Sequence, residues 1–334
     1  MVTKQEFVQN IIGHRKAEIR NHASEFAPAN IALCKYWGKR DRELNLPVTD
    51  SLSISMGHLG TRTEVRISPT GKDTVIFNGK VLSSDAEAAA KILDFAGLMK
   101  PADSPPLEIS TVNNIPTGAG VASSASGFAA LTQALNSLFG YALTGTELSL
   151  LAGLGSGSAS RSVFTGFVHR HRGQRADGMD SFSEPIPYRW PELKIGLLTV
   201  SGKQKKVGSG AGMNRTAETS VLFRSWSQQV QQDMELLMQA LEQKDFPLLG
   251  ATAENNALAM HACMLSAKPP LIYWMPETLA VIQKVQELRH DGLQLYLTID
   301  AGPNVKLLYE AQDEATVLEA FPDAETVQPF TALI

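Results

Sequence analysis

Apolar residues along this chain change period repeatedly, from the spacing of helices to the alternation of strands. In residues 4–19, Phe7, Ile11 and Ile12 recur at helical spacing and predict a short amphipathic helix in front of the main domain. Residues 61–68 alternate instead, with Thr61, Thr63, Val65 and Ile67 on one face and Arg62, Glu64 and Arg66 on the other, as in a half-buried strand. Val75-Ile76-Phe77 and Val81-Leu82 flank Asn78-Gly79, a pair that tolerates the positive φ angles of a two-residue hairpin turn. Ser84 and Glu87 have capping-box spacing ahead of Ala88, Ile92, Phe95 and Met99, and Pro101 stops that helix.

Further along, the pattern predicts a strand over 107–112 and a buried, Ala-rich helix over 121–138 that Gly140 ends. A second capping box, Thr144 with Glu147, precedes another helix, and 164–171 returns to strand. Residues 173–191 are rich in Gly, Asp, Ser and Pro without periodicity, which marks the junction between two lobes. A strand over 193–200, helices over 213–228, 233–242, 246–264 and 276–290, and strands over 293–299 and 305–309 follow. The expectation is an α+β protein with one lobe at 1–190, including an N-terminal helical extension at 1–22, and a second at 191–334.

Composition agrees with a packed enzyme. The 334 residues exceed the usual size of one domain, about 100–200 residues. Hydrophobic residues make up 43% of the chain and charged residues 19%. A formal charge of −4 gives no general attraction for nucleic acid or anionic membrane, so any basic site must be local. Cys34 and Cys263 belong to no metal or disulfide pattern, which favours a reducing compartment. No run approaches the ~18 apolar residues of a membrane helix, and residues 1–20 lack a secretory signal's apolar stretch. A cytoplasmic location is expected.

Five stretches carry candidate chemistry. Pro116-Thr117-Gly118-Ala119-Gly120-Val121-Ala122-Ser123-Ser124-Ala125 lies between a predicted strand and a predicted helix, where backbone N–H groups and a helix dipole suit phosphate; a tight turn into a core helix fits equally well. It matches neither GxxxxGK[ST] nor GxGxxG, which argues against a P-loop or a Rossmann domain. Lys35-Tyr36-Trp37-Gly38-Lys39-Arg40 concentrates three cations in an acidic chain and can hold a phosphorylated or carboxylated substrate, or form a solvated basic turn. Gly155-Ser156-Gly157-Ser158-Ala159-Ser160-Arg161 offers hydroxyls and one planar guanidinium, though such a stretch is more often a linker. Residues 207–213, with Ser209 and following Lys203, Lys205 and Lys206, read as a mobile basic loop that seeks phosphate, or as a flexible linker. Asp300-Ala301-Gly302-Pro303-Asn304 ends a strand, where Asp300 either starts a turn or acts as a base or orienting group. His169 and His171 alternate on a strand with no third ligand in view, so they read as surface residues.

The order of these stretches resembles the mevalonate diphosphate decarboxylases, of the superfamily that also holds galactokinase, homoserine kinase and mevalonate kinase. The likeness spans nearly the whole chain, from Ala29-Asn30-Ile31-Ala32 with residues 35–41 to residues 300–304. It implies a first lobe like domain 2 of ribosomal protein S5, a ferredoxin-like second lobe, a site between them and a homodimer. By the same resemblance, Gly118, Ala119, Gly120, Val121, Ala122, Ser123 and Ser124 hold the phosphates of ATP, with Ser123 on Mg²⁺. Tyr36, Trp37, Gly38, Lys39, Ser156, Gly157, Ser158 and Ser209 line the small-molecule substrate, a phosphorylated hydroxy acid. Arg161 grips its carboxylate, and Asp300, supported by Lys35, faces its tertiary hydroxyl.

Three departures from the family pattern bear on whether a diphosphate or a monophosphate is preferred. Position 160 is Ser where Cys is usual, Gly208-Ser209-Gly210 carries fewer hydroxyls, and residues 85–90 lack a frequent Arg. The rival expectations are a phosphomevalonate decarboxylase, a mevalonate 3-kinase that phosphorylates without loss of CO₂, and a ligand-sensing homologue without turnover.

Overall fold

The longest strand organises the first lobe. The computed structural model describes residues 2–83, 85–116, 123–203 and 205–330. Helix α1 (Lys4–Ile12) is capped reciprocally by Thr3 and Glu6 and buries Phe7, Val8, Ile11 and Ile12. It stops at Gly13, short of the expected residue 19, and Ile19 is exposed. Strands β1 (His22–Cys34), β2 (Lys39–Asp41), β3 (Leu46–Pro47), β4 (Ser51–Ile67), β5 (Thr74–Phe77) and β6 (Lys80–Val81) follow. The β5–β6 hairpin turns at Asn78 and Gly79, whose φ angles of 47° and 76° are those the sequence calls for. Helix α2 (Glu87–Met99) starts from Ala86 with no side-chain cap, so the expected Ser84–Glu87 box does not set its start; Ser84 itself lies outside the described residues.

Strand β7 (Leu107–Asn113) leads to helix α3 (Ser123–Phe139), then α4 (Gly145–Gly155), the short α5 (Ala159–Ser162), β8 (Phe167–Arg170) and β9 (Ser183–Pro185). The sheet order is β6-β5-β7-β4-β8-β9, with β1 also paired to β4. Seventeen residues long, β4 therefore touches β1, β7 and β8. Because α3 presents the fully buried Ala129, Ala130 and Ala134, it packs closely against this sheet. Residues 183–185, inside the stretch expected to join the lobes, pair with β8 and extend the first sheet.

The second lobe comprises β10 (Leu193–Leu198), α6 (Ser209–Thr219), α7 (Phe223–Gln243), α8 (Phe246–Leu265), α9 (Pro276–His290), β11 (Tyr296–Ile299), β12 (Val305–Glu310), α10 (Glu314–Ala320) and β13 (Glu325–Val327). Its sheet runs β11-β12-β10-β13, all antiparallel. Counted within the lobe that is 4-1-3-2 read backwards, with helices in both crossovers, the ferredoxin-like order. Helices α6 and α7 break at 220–222, whereas the apolar pattern suggested 229–232. No glycine or proline marks the true break; the Ser220 and Ser266 hydroxyls bond at 2.6 Å.

The lobes share one core. Ile31, Leu33, Leu52, Ile54 and Phe167 of the first pack in the same buried cluster as Ile195, Leu237, Leu249 and Ala253 of the second. Apolar burial at roughly 25 cal/mol per Å² is the main force holding such a seam. Its effect is to fix the end of β1 against α8, and the site lies there.

Candidate active site

Lys35 leaves β1 directly into the seam. Its backbone N–H donates to Asn256 Oδ1 on α8 (2.8 Å), and Asn256 Nδ2 donates to the buried Asp233 of α7 (2.7 Å). Those neutral and charged groups clamp the strand end, so the side chain is aimed before any ligand arrives. Lys35 Nζ then meets Asp300 Oδ1 at 2.8 Å, and Lys306 Nζ of β12 approaches Asp300 Oδ2 at 3.6 Å. Both lysines are 1% exposed, while the Asp300 side chain is 33% exposed and reaches solvent.

Asp300 sits in the turn between β11 and β12. Its carbonyl accepts from Gly302 N–H (2.7 Å) and faces His261 Nε2 on α8 (3.0 Å), and Asn304 accepts from the N–H groups of Val200 and Ser201 (2.8 Å each). Burial alone would raise the carboxyl's pKa, but the charges of Lys35, Lys306 and Lys205 outweigh it and hold the group well below the usual carboxylate range. Asp300 is thus an anion throughout neutral pH, a poor proton acceptor and a good orienting one. Burial lowers the pKa of Lys35, and of Lys306, against the opposing pull of Asp300. His261, stacked on Trp274 with centroids 4.8 Å apart, is pushed by burial down to about 4 and is neutral.

Arg161, on α5, is 2% exposed. Its guanidinium donates to Ser51 Oγ (2.8 Å) and to Asn30 Oδ1 (3.3 Å), while Nε has no partner among the described residues. Asn30 in turn donates to Ser162 Oγ (2.7 Å) and to the Ser158 carbonyl (3.2 Å). Burial and the like charge of Arg170 lower the Arg161 pKa to about 10, so it remains a cation at neutral pH. Arg170, equally buried, donates to the carbonyls of Gly157 and Asn45 and lies over the Tyr36 ring. The two guanidinium groups are held by neutral oxygens. Among the described residues Lys35 and Lys306 flank Asp300, the charge of Arg161 reaches it, and Arg170 stands behind Arg161, so the resulting field selects an anion.

The other expected site residues divide into two groups. Ser123 and Ser124 are exposed in the first turn of α3; Ser124 Oγ lies 3.5 Å from Ser156 Oγ, which lies 3.2 Å from Ser158 Oγ. That chain of hydroxyls runs through Asn30 to Arg161. Gly118, Ala119, Gly120, Val121 and Ala122 lie outside the described residues. Ser209 opens α6 rather than lying in a mobile loop, and Lys205 Nζ donates to its hydroxyl (2.7 Å) and to the Ala301 carbonyl (2.9 Å).

Residues 36–39 serve the framework more than the sequence suggests. Tyr36 is buried and donates to the Asn45 carbonyl (3.2 Å); a Cβ at Gly157 would fall 2.4 Å from its ring, so only glycine fits there. Trp37 packs beside Gly212 of α6, Gly38 sits against Phe223 of α7, and Lys39 donates to Asn45 Oδ1 (2.6 Å). Sequence reasoning missed Lys306, His261 and Ser51, and placed Asn30 in a motif without giving it a role. Lys306 alone leaves a local trace, a cation inside the otherwise apolar strand 305–309.

Two family profiles match: the diphosphomevalonate decarboxylase-like N-terminal domain over residues 27–183, and the mevalonate 5-diphosphate decarboxylase C-terminal domain over 195–330. The chain is 37% identical over 325 residues to the diphosphomevalonate decarboxylase of Gibberella zeae, covering 90% of this chain and 84% of that one. The chain belongs to the diphosphomevalonate decarboxylase family. Among solved structures, mevalonate diphosphate decarboxylase from Staphylococcus aureus superposes with a TM-score of 0.87 at 32% identity, over 93% of this chain and 96% of that chain. A structure of MDDEF in complex with MVAPP, AMPPCP and magnesium gives 0.84 at 36% identity, over 92% and 97%. The cation cluster thus occurs in a decarboxylase fold.

Proposed function

We infer that the protein catalyses the ATP-dependent decarboxylation of mevalonate 5-diphosphate to isopentenyl diphosphate, CO₂, ADP and phosphate. The observation that carries this reading is the Lys35–Asp300 pair, its carboxylate partly open to solvent, under the charge of Arg161, which acts on both. A tertiary alcohol beta to a carboxylate cannot lose CO₂ easily, because hydroxide is a poor leaving group. Asp300 accepts a hydrogen bond from that alcohol and aligns its oxygen on the γ-phosphorus of ATP; the new O–P bond forms as the P–O bond to ADP breaks, and the hydroxyl proton passes by way of the Asp300 carboxylate to solvent. The C–O bond to the phosphate then breaks, the C–C bond to the carboxylate supplies the electron pair of the alkene, and CO₂ leaves. Arg161 holds the carboxylate until then. Phosphoryl transfer passes through a loose transition state, so positioning and cationic charge supply most of the acceleration.

Ser123, Ser124 and the loop 118–122 are assigned to the ATP phosphates. The exposed hydroxyls in the first turn of a seventeen-residue helix fit an anion and a hard cation. Mg²⁺, when bound near Ser123, neutralises charge on the transferring group. Tyr36, Trp37, Gly38, Lys39, Ser156, Gly157, Ser158 and Ser209 are assigned to the walls around the substrate's phosphates, with Tyr36, Trp37 and Gly38 acting by shape. Lobe limits at 1–190 and 191–334, a homodimer and a cytoplasmic setting complete the reading. Among the described residues no helix is long and apolar enough to cross a membrane.

Mevalonate, its 5-phosphate and its 5-diphosphate offered separately with Mg-ATP test the assignment. The expected outcome is one CO₂ per ADP with the diphosphate as best substrate. A stable phosphorylated product without CO₂ would identify a 3-kinase, and nucleotide binding without turnover a sensor.

A further inference from the structure

His169 lies on β8 and His171 follows just past its end, two residues on, where its N–H still donates to the Phe182 carbonyl; the two imidazoles stand side by side with ring centroids 4.1 Å apart. Asp50, in the turn that enters β4, comes up beside them from 119 residues away: His169 Nε2 lies 3.0 Å from Asp50 Oδ2. Across the β8–β9 pairing, Glu184 stands opposite His169 and its Oε1 is 2.7 Å from His171 Nε2. One donor atom each from Asp50, His169 and His171 falls within a mutual 4.8 Å. The other Asp50 oxygen accepts the Arg172 backbone N–H (2.8 Å), which fixes the carboxylate with Oδ2 turned to the imidazoles. An outer bond of this kind is what orients ligating carboxylates in metal sites.

We propose that Asp50, His169, His171 and Glu184 bind a divalent transition-metal ion of the zinc class, separately from the magnesium that accompanies ATP. Two imidazoles with two carboxylates are the donor set of Zn²⁺ or Co²⁺, whereas Mg²⁺ takes oxygen ligands. Bonds of about 2.0–2.2 Å in a tetrahedron place ligand atoms roughly 3.3 Å apart, within the 4.8 Å that bounds the donor atoms of Asp50, His169 and His171. The Asp50 and His169 edge opens onto a cavity of about 680 Å³ between the first sheet and α7, lined also by Thr49, Arg172 and Met234, so an ion can enter. The sequence shows the His-x-His pair alone; its carboxylates arrive only through folding.

The test is calorimetric titration of tag-free protein with Zn²⁺, paired with the visible spectrum after Co²⁺ loading. The site predicts one ion per chain and the intense absorption of tetrahedral cobalt. Affinity should fall at least tenfold in His171→Gln and in Glu184→Gln, at the lower end of what even outer-shell changes cost, about 10–100-fold. Both side chains are partly exposed, so the variants should keep the wild-type melting temperature. His290→Gln should bind as wild type. No saturable zinc uptake by the wild type, or undiminished uptake in a His169→Gln/His171→Gln double variant, would overturn the proposal.

Discussion

The two charged centres of the cleft are built in different ways. Arg161 is held by Ser51 and Asn30, all within the first lobe, on a short helix pinned to the sheet. Asp300 belongs to a turn of the second lobe, and its principal partner, Lys35, comes from the first. The group we assign to the substrate carboxylate is therefore preformed by one lobe, while the pair we assign to the reacting alcohol exists only where two lobes meet. Such an arrangement lets substrate binding and alignment of the alcohol be perturbed separately, and substitutions can test that separation.

The largest effect is expected at the seam. Asp300→Asn removes the charge that orients the alcohol, and turnover should fall roughly 10²–10⁴-fold, the usual contribution of a base so placed. Nucleotide affinity, measured by calorimetry, should change little.

Next comes the support behind the seam. His261 is neutral in the fold with a pKa of about 4, against about 6.5 when unfolded, so acid favours the unfolded chain between those values. Stability contributed by this group is intact above pH 6.5 and lost as pH falls toward 4, by about 3 kcal/mol in all. Denaturant melts of His261→Gln across that range should show a flatter pH dependence than wild type, while wild-type steepness in the variant would place the acid sensitivity elsewhere.

A smaller effect belongs to the preformed centre. Arg161→Gln should raise KM for the hydroxy acid about 10–100-fold, the worth of a charged hydrogen bond, with nucleotide KM unmoved. Equal losses in both would mean that Arg161 serves the framework. Smallest is Thr144→Ala, which removes the N-cap of α4, the helix leading to Ser156. It should cost about 1 kcal/mol of stability and leave KM unchanged.

What the sequence disclosed was what local chemistry decides. Asn78-Gly79 demands its turn, Thr144 and Glu147 demand their cap, and residues 61–67 alternate because one face is buried. β1 escaped that reading, since its Pro28 and its alanines are poor strand formers; it is a strand because β4 pairs with it along nearly its whole length, shifting register beside Pro28. The break between α6 and α7 has the same cause, a tertiary bond in place of a breaker residue. In the site, Lys35, Arg161 and Asp300 were legible as motifs, but not their partners. Ser51 has no pattern of its own, Lys306 only its place in an apolar strand and Asn30 only its place in a motif, and each gains its meaning from what folding sets beside it. The structure also gives Tyr36 and Trp37 a framework role that the sequence did not show, their aromatic bodies buried against Gly157 and Gly212.

Rapid-quench single turnovers of Asp300→Asn, with saturating Mg-ATP and mevalonate 5-diphosphate, address the mechanism most directly. If the carboxylate aligns the alcohol for phosphoryl transfer, ADP and CO₂ should appear together, both slowed about 100-fold or more relative to wild type. ADP forming at the wild-type rate, with only CO₂ delayed, would contradict that role.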